Sequence, residues 1–355
     1  MATQYLYNVT HVVPLTTIRR ERRLPVPGSV AVRIGQRVQP GDVLAEAQVA
    51  PRHYFLDIAR GLGLPDREAA RQIRVNRGDR VDGGEVIAGP VGISRRTVRA
   101  PVDGRIAAVS GSRVLLEVEG EPYALRSGFP GVVTATDGTQ TVTIEATGAL
   151  IQGVWGNGRQ EFGLMRLVGD SPDDRLQTDK LDINLRGAVL IAGMCDHPAP
   201  LHQATELSVR GVILGSLTSD LIPVAQRLPY PVIVTEGFGR LPINLMAYGL
   251  LTSNVGREAA VDARPGGTYE ADRPEVIIPL PSARELEVPD EVVPLTRGVR
   301  VRVLRAPHMG AVGVIQEIEE KAVPFPSGIL ARAAAVDLEG FGQATVPLAN
   351  LEALQ

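Results

Sequence analysis

One eleven-residue phrase is written twice in this chain. Gly35-Gln-Arg-Val-Gln-Pro-Gly-Asp-Val-Leu-Ala45 returns 43 positions later as Gly78-Asp-Arg-Val-Asp-Gly-Gly-Glu-Val-Ile-Ala88. Gly35 and Gly41 align with Gly78 and Gly84, Val38 with Val81, and Val43-Leu44 with Val86-Ile87. Glycines at fixed offsets supply backbone conformations that a side chain would forbid, and the Val and Leu between them point inward. Each copy therefore reads as turn, strand, turn, strand: a fold-forming hairpin. A second repeat follows, in which Gly104–Gly111 with Val114–Glu117 is similar to Gly131–Gly138 with Val142–Glu145, two short strands around a glycine turn in each case. Short β elements are thus expected from residue 28 to about 150. The exception is 52–73, where apolar spacing after His53 and the start signal Pro65-Asp66 predict an inserted helical pair.

The phrase Gly-x-x-Val-x-x-Gly-[Asp/Glu]-Val-[Leu/Ile]-Ala, followed by Ala100-Pro-Val-Asp-Gly-Arg-Ile106, resembles the hammerhead and exit strands of the barrel-sandwich hybrid fold. That superfamily includes biotinyl and lipoyl carrier domains, efflux-pump adaptors and insertions of RNA polymerase large subunits. Carrier members attach their cofactor to a lysine between two such halves, because only a primary amine can make the amide. The chain has two lysines, Lys180 and Lys321, against 35 arginines, and none precedes residue 180. Neither copy can be a swinging arm, and no cofactor is expected. Lys180, in Thr178-Asp179-Lys180, lacks the phrase upstream and reads as solvated surface. An efflux adaptor would also carry coiled-coil heptads, which are missing.

From residue 187 the texture changes to apolar runs alternating with helical segments. Gly187–Gly193, Gly211–Gly215, Pro231–Thr235 and Arg257–Asp262 read as strands, with helices at Leu201–Arg210, Ser219–Leu228 and Pro242–Thr252. Continuous apolar strands predict a parallel sheet covered on both faces. Ligands of such sheets sit beyond the carboxyl ends of the strands. Three loops gather there: Met194-Cys195-Asp196-His197, Ser216-Leu-Thr218-Ser219-Asp220 and Glu236-Gly237-Phe-Gly239. The enzyme reading makes Cys195 a nucleophile with His197 or Glu236 as base. The ligand reading makes Asp196, Ser216, Thr218, Ser219, Gly237 and Gly239 a small-ligand or anion cradle. The structural reading makes them helix caps, tight turns and a cysteine that packs as a small hydrophobe. No Gly-x-Gly-x-x-Gly or P-loop phrase is present, and the five histidines show no metal-ligand spacing.

Residues 265–294 hold six prolines among acids and read as an extended linker with an edge strand at Glu275–Ile278. Beyond them, Arg297-Gly-Val-Arg-Val-Arg-Val-Leu304 and Ala306-Pro-His-Met-Gly-Ala-Val-Gly-Val-Ile315 resemble a KOW motif, and Ala335–Gly340 and Val346–Glu352 the closing strands of its SH3-like barrel. KOW modules of NusG-type factors and ribosomal proteins touch RNA, polymerase or protein. That resemblance nominates Arg297, Arg300, Arg302, Arg305 and His308 as a basic side for nucleic acid or a partner, opposed by Glu317, Glu319 and Glu320.

The expected architecture is multi-domain α/β plus β. It comprises a β-rich barrel-sandwich region over 1–150, a connecting β segment over 151–186, a small parallel doubly wound, Rossmann-like α/β domain over 187–264, the linker, and an SH3-like barrel over 295–355. A net charge of −3 and a single cysteine suit a cytoplasmic protein without a general pull toward polyanions. The expected role is non-catalytic binding or assembly, with a protein partner or self-association, no cofactor, no metal and no membrane. Second readings are a transcription or translation accessory factor that binds RNA, ribosome or polymerase, and an enzyme or small-ligand binder at the Cys195 cleft.

Overall fold

The computed structural model describes residues 6–49, 52–118, 122–265, 273–282 and 286–355. Strands make up 47 per cent of it and helices 13 per cent, so the protein is β-rich, with several sheets.

The repeated phrase forms corners, not hairpins. Arg37–Val38 pairs with Gly131–Thr136, whereas Val43–Ala47 turns away into a separate sheet with Ser29–Val30 and Tyr123–Arg126. In the second copy Arg80–Val81 pairs with Gly104–Ser110, and Val86–Val91 leaves to pair with Arg96–Arg99. The two strands of one phrase thus lie in two layers, with Leu44 or Ile87 buried between them. Equivalence extends to the atoms. Val38 faces Gly131 as Val81 faces Gly104, and the amides of Gly35 and Gly78 donate to the carbonyls of Val133 and Ile106. The variable polar positions also match: Gln36 and Asp79 accept from Arg33 N and Asn76 N, and Asp42 and Glu85 from Gln39 N and Asp82 N. Gly35 and Gly78 have φ of 84° and 95°, the left-handed region that costs other residues about 1–2 kcal/mol.

The second unit, residues 52–118, sits inside the first as an insertion with its own core around Ile58, Leu62, Ile87, Ile106, Val114 and Leu116. Where a helical pair was expected from residue 52, Arg52–Asp57 is instead a strand on Arg113–Val118, and only Ile58–Leu62 and Asp66–Ala70 are helical. Its β-prone His-Tyr-Phe run finds an open sheet edge, which outweighs the helical spacing.

One sheet crosses the expected boundaries. Gln160–Leu167, Ala188–Cys195, Gly211–Leu217 and Val232–Phe238 are parallel neighbours in that order. Leu190, Ala192, Val212, Leu214, Val232 and Val234 pack against the helical segments Pro198–Glu206 and Ile222–Ala225. Their odd-numbered neighbours Val189, Ile191, Ile213 and Ile233 pack against Leu245–Ser253 on the other face. The first parallel strand comes from the segment read as a connector. Glu258–Asp262 joins antiparallel, then Glu275–Pro279, then Thr141–Gln152 from the N-terminal region. Glu275–Pro279 is therefore an interior strand, not the edge strand of a linker, with Val276, Ile277 and Ile278 buried on both sides.

The C-terminal sheet runs Val292–Pro294, Leu6–Thr10, Leu351–Leu354, Arg300–Val303, Val312–Ile318, Ala333–Leu338, Gly342–Pro347. The N-terminal strand is thus part of it, parallel to the last strand of the chain.

Candidate functional site

The carboxyl edge of the parallel strands brings the three expected loops together, and Cys195, Asp196, His197, Ser216 and Glu236 already have partners there. Cys195 is fully buried and its thiol donates to the His197 carbonyl at 3.3 Å. Burial pushes its pKa up to about 11, opposed in part by that hydrogen bond and aided by Asp196. A thiol that stays protonated far above neutrality is a poor nucleophile. His197 caps Pro198–Glu206, its Nδ1 accepting from Ala199 N at 3.2 Å, so that nitrogen holds no proton and serves the helix. Asp196 lies between Arg175 at 3.2 Å and Arg240 at 3.6 Å.

Ser216 is buried, and its Oγ accepts from Leu241 N. Thr218 keeps its Oγ1 buried with no hydrogen-bond partner, and Ser219 is exposed in a short 3₁₀ turn. Gly237 and Gly239 take φ of 138° and 118° to turn the chain sharply, the Gly239 amide returning to the Leu217 carbonyl. The Gly239 and Thr218 amides thus serve the protein's own backbone.

Glu236 is the residue whose role changes most. Its Oε1 accepts from the side-chain and main-chain nitrogens of Asn244 at 2.6 and 3.2 Å, and its Oε2 accepts from Arg302 Nη1 at 2.8 Å. Arg302 is 2 per cent exposed and is no surface contact for nucleic acid. Its Nε and Nη2 grip Glu352 Oε2 at 3.1 and 2.5 Å, and Nη1 also reaches the Thr235 carbonyl. Glu352 Oε1 in turn accepts from Thr10 Oγ1 and from Arg273. Burial works against the Arg302 charge, but Glu352 and Glu236 outweigh it and raise its pKa above the ordinary guanidinium value. Burial likewise opposes the Glu352 charge, and Arg302 and Arg273 override it, holding the carboxyl below its usual range. The five members come from the parallel sheet, three adjacent strands of the C-terminal sheet, and Arg273 just before Glu275–Pro279. They form an internal clasp in which Glu236 and Glu352 stand 66 and 50 positions from Arg302.

The expected basic side of the C-terminal sheet is correspondingly thin. Arg300 pairs with Glu339, His308 packs edge-on against Phe341 at 5.4 Å, and only Arg297 and Arg305 are exposed. Trp155 is half-buried, edge-on to Phe238 at 5.9 Å, and Lys180 pairs with Asp174 at 3.2 Å. Among the described residues no group of three or more His, Cys, Asp or Glu side chains is placed to hold a metal ion, and no helix is long and apolar enough to cross a membrane.

Sequence reasoning missed His11. Its ring touches Gln152 Oε1 through Nδ1 at 3.2 Å and the Asp290 carbonyl through Nε2 at 3.1 Å. It lines a cavity of about 370 Å³ with Thr17, Arg20, Gln152, Arg273 and Glu291. Burial first, then Arg20 and Arg273, pull its pKa down to about 4. No protein-family model matches the chain, and no curated protein matches it.

Proposed function

We propose that this chain is a non-catalytic binding or assembly protein of the cytoplasm. In this reading the nested sandwiches are barrel-sandwich hybrid units without a carrier lysine, the parallel layer is a small Rossmann-like unit, and the C-terminal sheet is a KOW-type, SH3-like barrel. The observation that carries the proposal is the commitment of the cleft. Cys195 is a buried, high-pKa thiol, His197 caps a helix, and Glu236 neutralises Arg302. None is left to attack, to take a proton or to orient a substrate.

Light scattering coupled to size exclusion, at two salt concentrations with absorbance at 260 and 280 nm, tests it. A discrete oligomer or a stable complex with a protein partner is expected. A strict monomer at high concentration counts against self-association. A Cys195 that reacts with a thiol reagent in the native state at neutral pH as fast as a free thiol would put the enzyme reading ahead of this one. Recruitment of RNA, ribosome or polymerase through the C-terminal barrel is the weaker alternative, resting on Arg297 and Arg305 alone.

A further inference from the structure

The unit formed by residues 52–118 carries a charge distribution unlike the rest of the molecule. It holds twelve arginines, no lysine and eight acids, a net charge of +4 against −7 for the remainder. All twelve arginines are exposed. Among the described residues none of them has a carboxylate within ion-pairing distance, whereas eleven arginine and lysine side chains elsewhere do. Five of the eight acids are bonded within the unit's own frame. Asp57 accepts from Arg60 N, Asp79 from Asn76 N, Glu85 from Asp82 N, Asp103 from Gly83 N, and Asp66 from the Ser112 hydroxyl. Glu117 lies 3.7 Å from His53, and the guanidinium groups face solvent.

Several of them converge on one sheet face. The strands Arg80–Val81, Gly104–Ser110, Arg113–Val118 and Arg52–Asp57 lie side by side, with Val114, Leu116 and Leu56 turned to the core. Strand alternation then turns Arg80, Arg105, Arg113, His53 and Phe55 outward, together with Asp57 and Glu117. Arg80 stands directly opposite Arg105, whose other cross-strand neighbour is Glu117. Phe55, 62 per cent exposed on the outermost strand, has the Arg113 guanidinium 5.7 Å from its ring centre. Four strands at about 4.8 Å give a platform about 15 Å across.

We infer that this face binds single-stranded nucleic acid. Exposed arginines are planar phosphate donors, and an aromatic ring with a guanidinium beside it is the surface on which unpaired bases stack whatever their sequence. The site is separate from the cleft of the parallel sheet and from the C-terminal barrel.

Fluorescence anisotropy of the full chain with labelled uridine and thymidine 20-mers, from 50 to 300 mM salt, tests it. Binding is expected to weaken with salt, and the R80Q/R105Q/R113Q variant should flatten the log–log slope by about 2, near 0.7 per phosphate contact. Phe55→Ala should weaken binding about 5- to 100-fold with the slope unchanged, since one stacked base is worth about 1–3 kcal/mol. The control R297E/R305E should bind like the parent. The ratio of the two oligonucleotides tells whether RNA or DNA is preferred, and either outcome supports the site. No binding at 50 mM salt overturns it. So does binding to phosphatidylserine vesicles without binding to the oligonucleotides, binding lost only in R297E/R305E, or equal binding of duplex with no effect of Phe55→Ala. Circular dichroism and elution volume check that each variant is folded.

Discussion

The two copies of the repeated phrase share their backbone plan and differ in everything around it. The first copy is sewn into the largest sheet: Gly131–Thr136 and Thr141–Gln152 carry it into contact with Ala260 and Ile277, and the adjoining strand Val12–Arg23 pairs its arginines with Glu145, Glu275 and Asp262. The second copy keeps a core of its own, and among the described residues the arginines of its unit have no carboxylate within ion-pairing distance. One motif thus serves as a joint in one place and as a projecting module in the other. The difference lies in where the charges go, because the glycines and valines that set the frame are the same.

The largest expected effect is at the heart of the joined body. Arg302→Met leaves Glu236 buried without its cation and Glu352 with Arg273 alone, and breaking a buried pair in this way costs about 3–5 kcal/mol. Denaturant unfolding should show that loss. Hydrogen exchange should place it in Arg300–Val303, Leu351–Leu354 and Val232–Phe238, with residues 52–118 unaffected. Protection lost equally in that unit would mean the two regions are not separate.

Leu44→Ala and Ile87→Ala make the comparison directly, since the two residues are equivalent and both fully buried. Each should cost about 2–5 kcal/mol. Leu44→Ala should lower the main unfolding transition, while Ile87→Ala should split off an early transition confined to 52–118. Identical single transitions in both variants would overturn the claim of a self-contained insertion.

A third contrast is in pH. His11 stays neutral down to about pH 4 when folded, and takes its proton near 6.5 when unfolded. Between those values the unfolded chain binds more protons, so stability is full above 6.5 and falls as pH drops to 4. The loss is on the order of 3 kcal/mol. His11→Asn should remove that part of the slope from the main transition and leave the transition of 52–118 as it was.

How much of this was readable beforehand follows from which interactions are local. The repeat alignment predicted real equivalences, with Val38 on Gly131 and Val81 on Gly104, because glycine and valine spacing encodes turn and burial within a few residues. The parallel strands were legible for the same reason: unbroken runs such as Val189–Ile191 have no solvent face. The corner geometry was not, since a strand's partner layer is chosen by tertiary contact. Arg302 misled most. Alternation in Arg300-Val-Arg-Val303 reads as a wet face and a dry face, and the strand is in fact covered on both. A signal did exist: Glu352 stands alone in the apolar run Leu351–Leu354 and needs a buried cation somewhere.

The smallest expected effect separates the regions by size. Arg22 is buried, holds Asp262 at 3.0 Å and the Ser127 carbonyl at 3.2 Å, and lies over Phe129. Arg22→Gln should cost about 1–3 kcal/mol, because it strips buried acceptors of their donor. Arg105 is exposed, stands between Arg80 and Glu117 on the neighbouring strands, and gives only a 3.2 Å bond to the Gly78 carbonyl. Arg105→Gln removes one like-charge and one opposite-charge neighbour, which offset each other, and should change the stability of 52–118 by less than about 0.5 kcal/mol at low or high salt. Chemical unfolding of that unit at 20 and 300 mM salt measures it. A loss above about 1 kcal/mol would show that Arg105 stabilises the fold, and would remove the reason to assign it to a ligand.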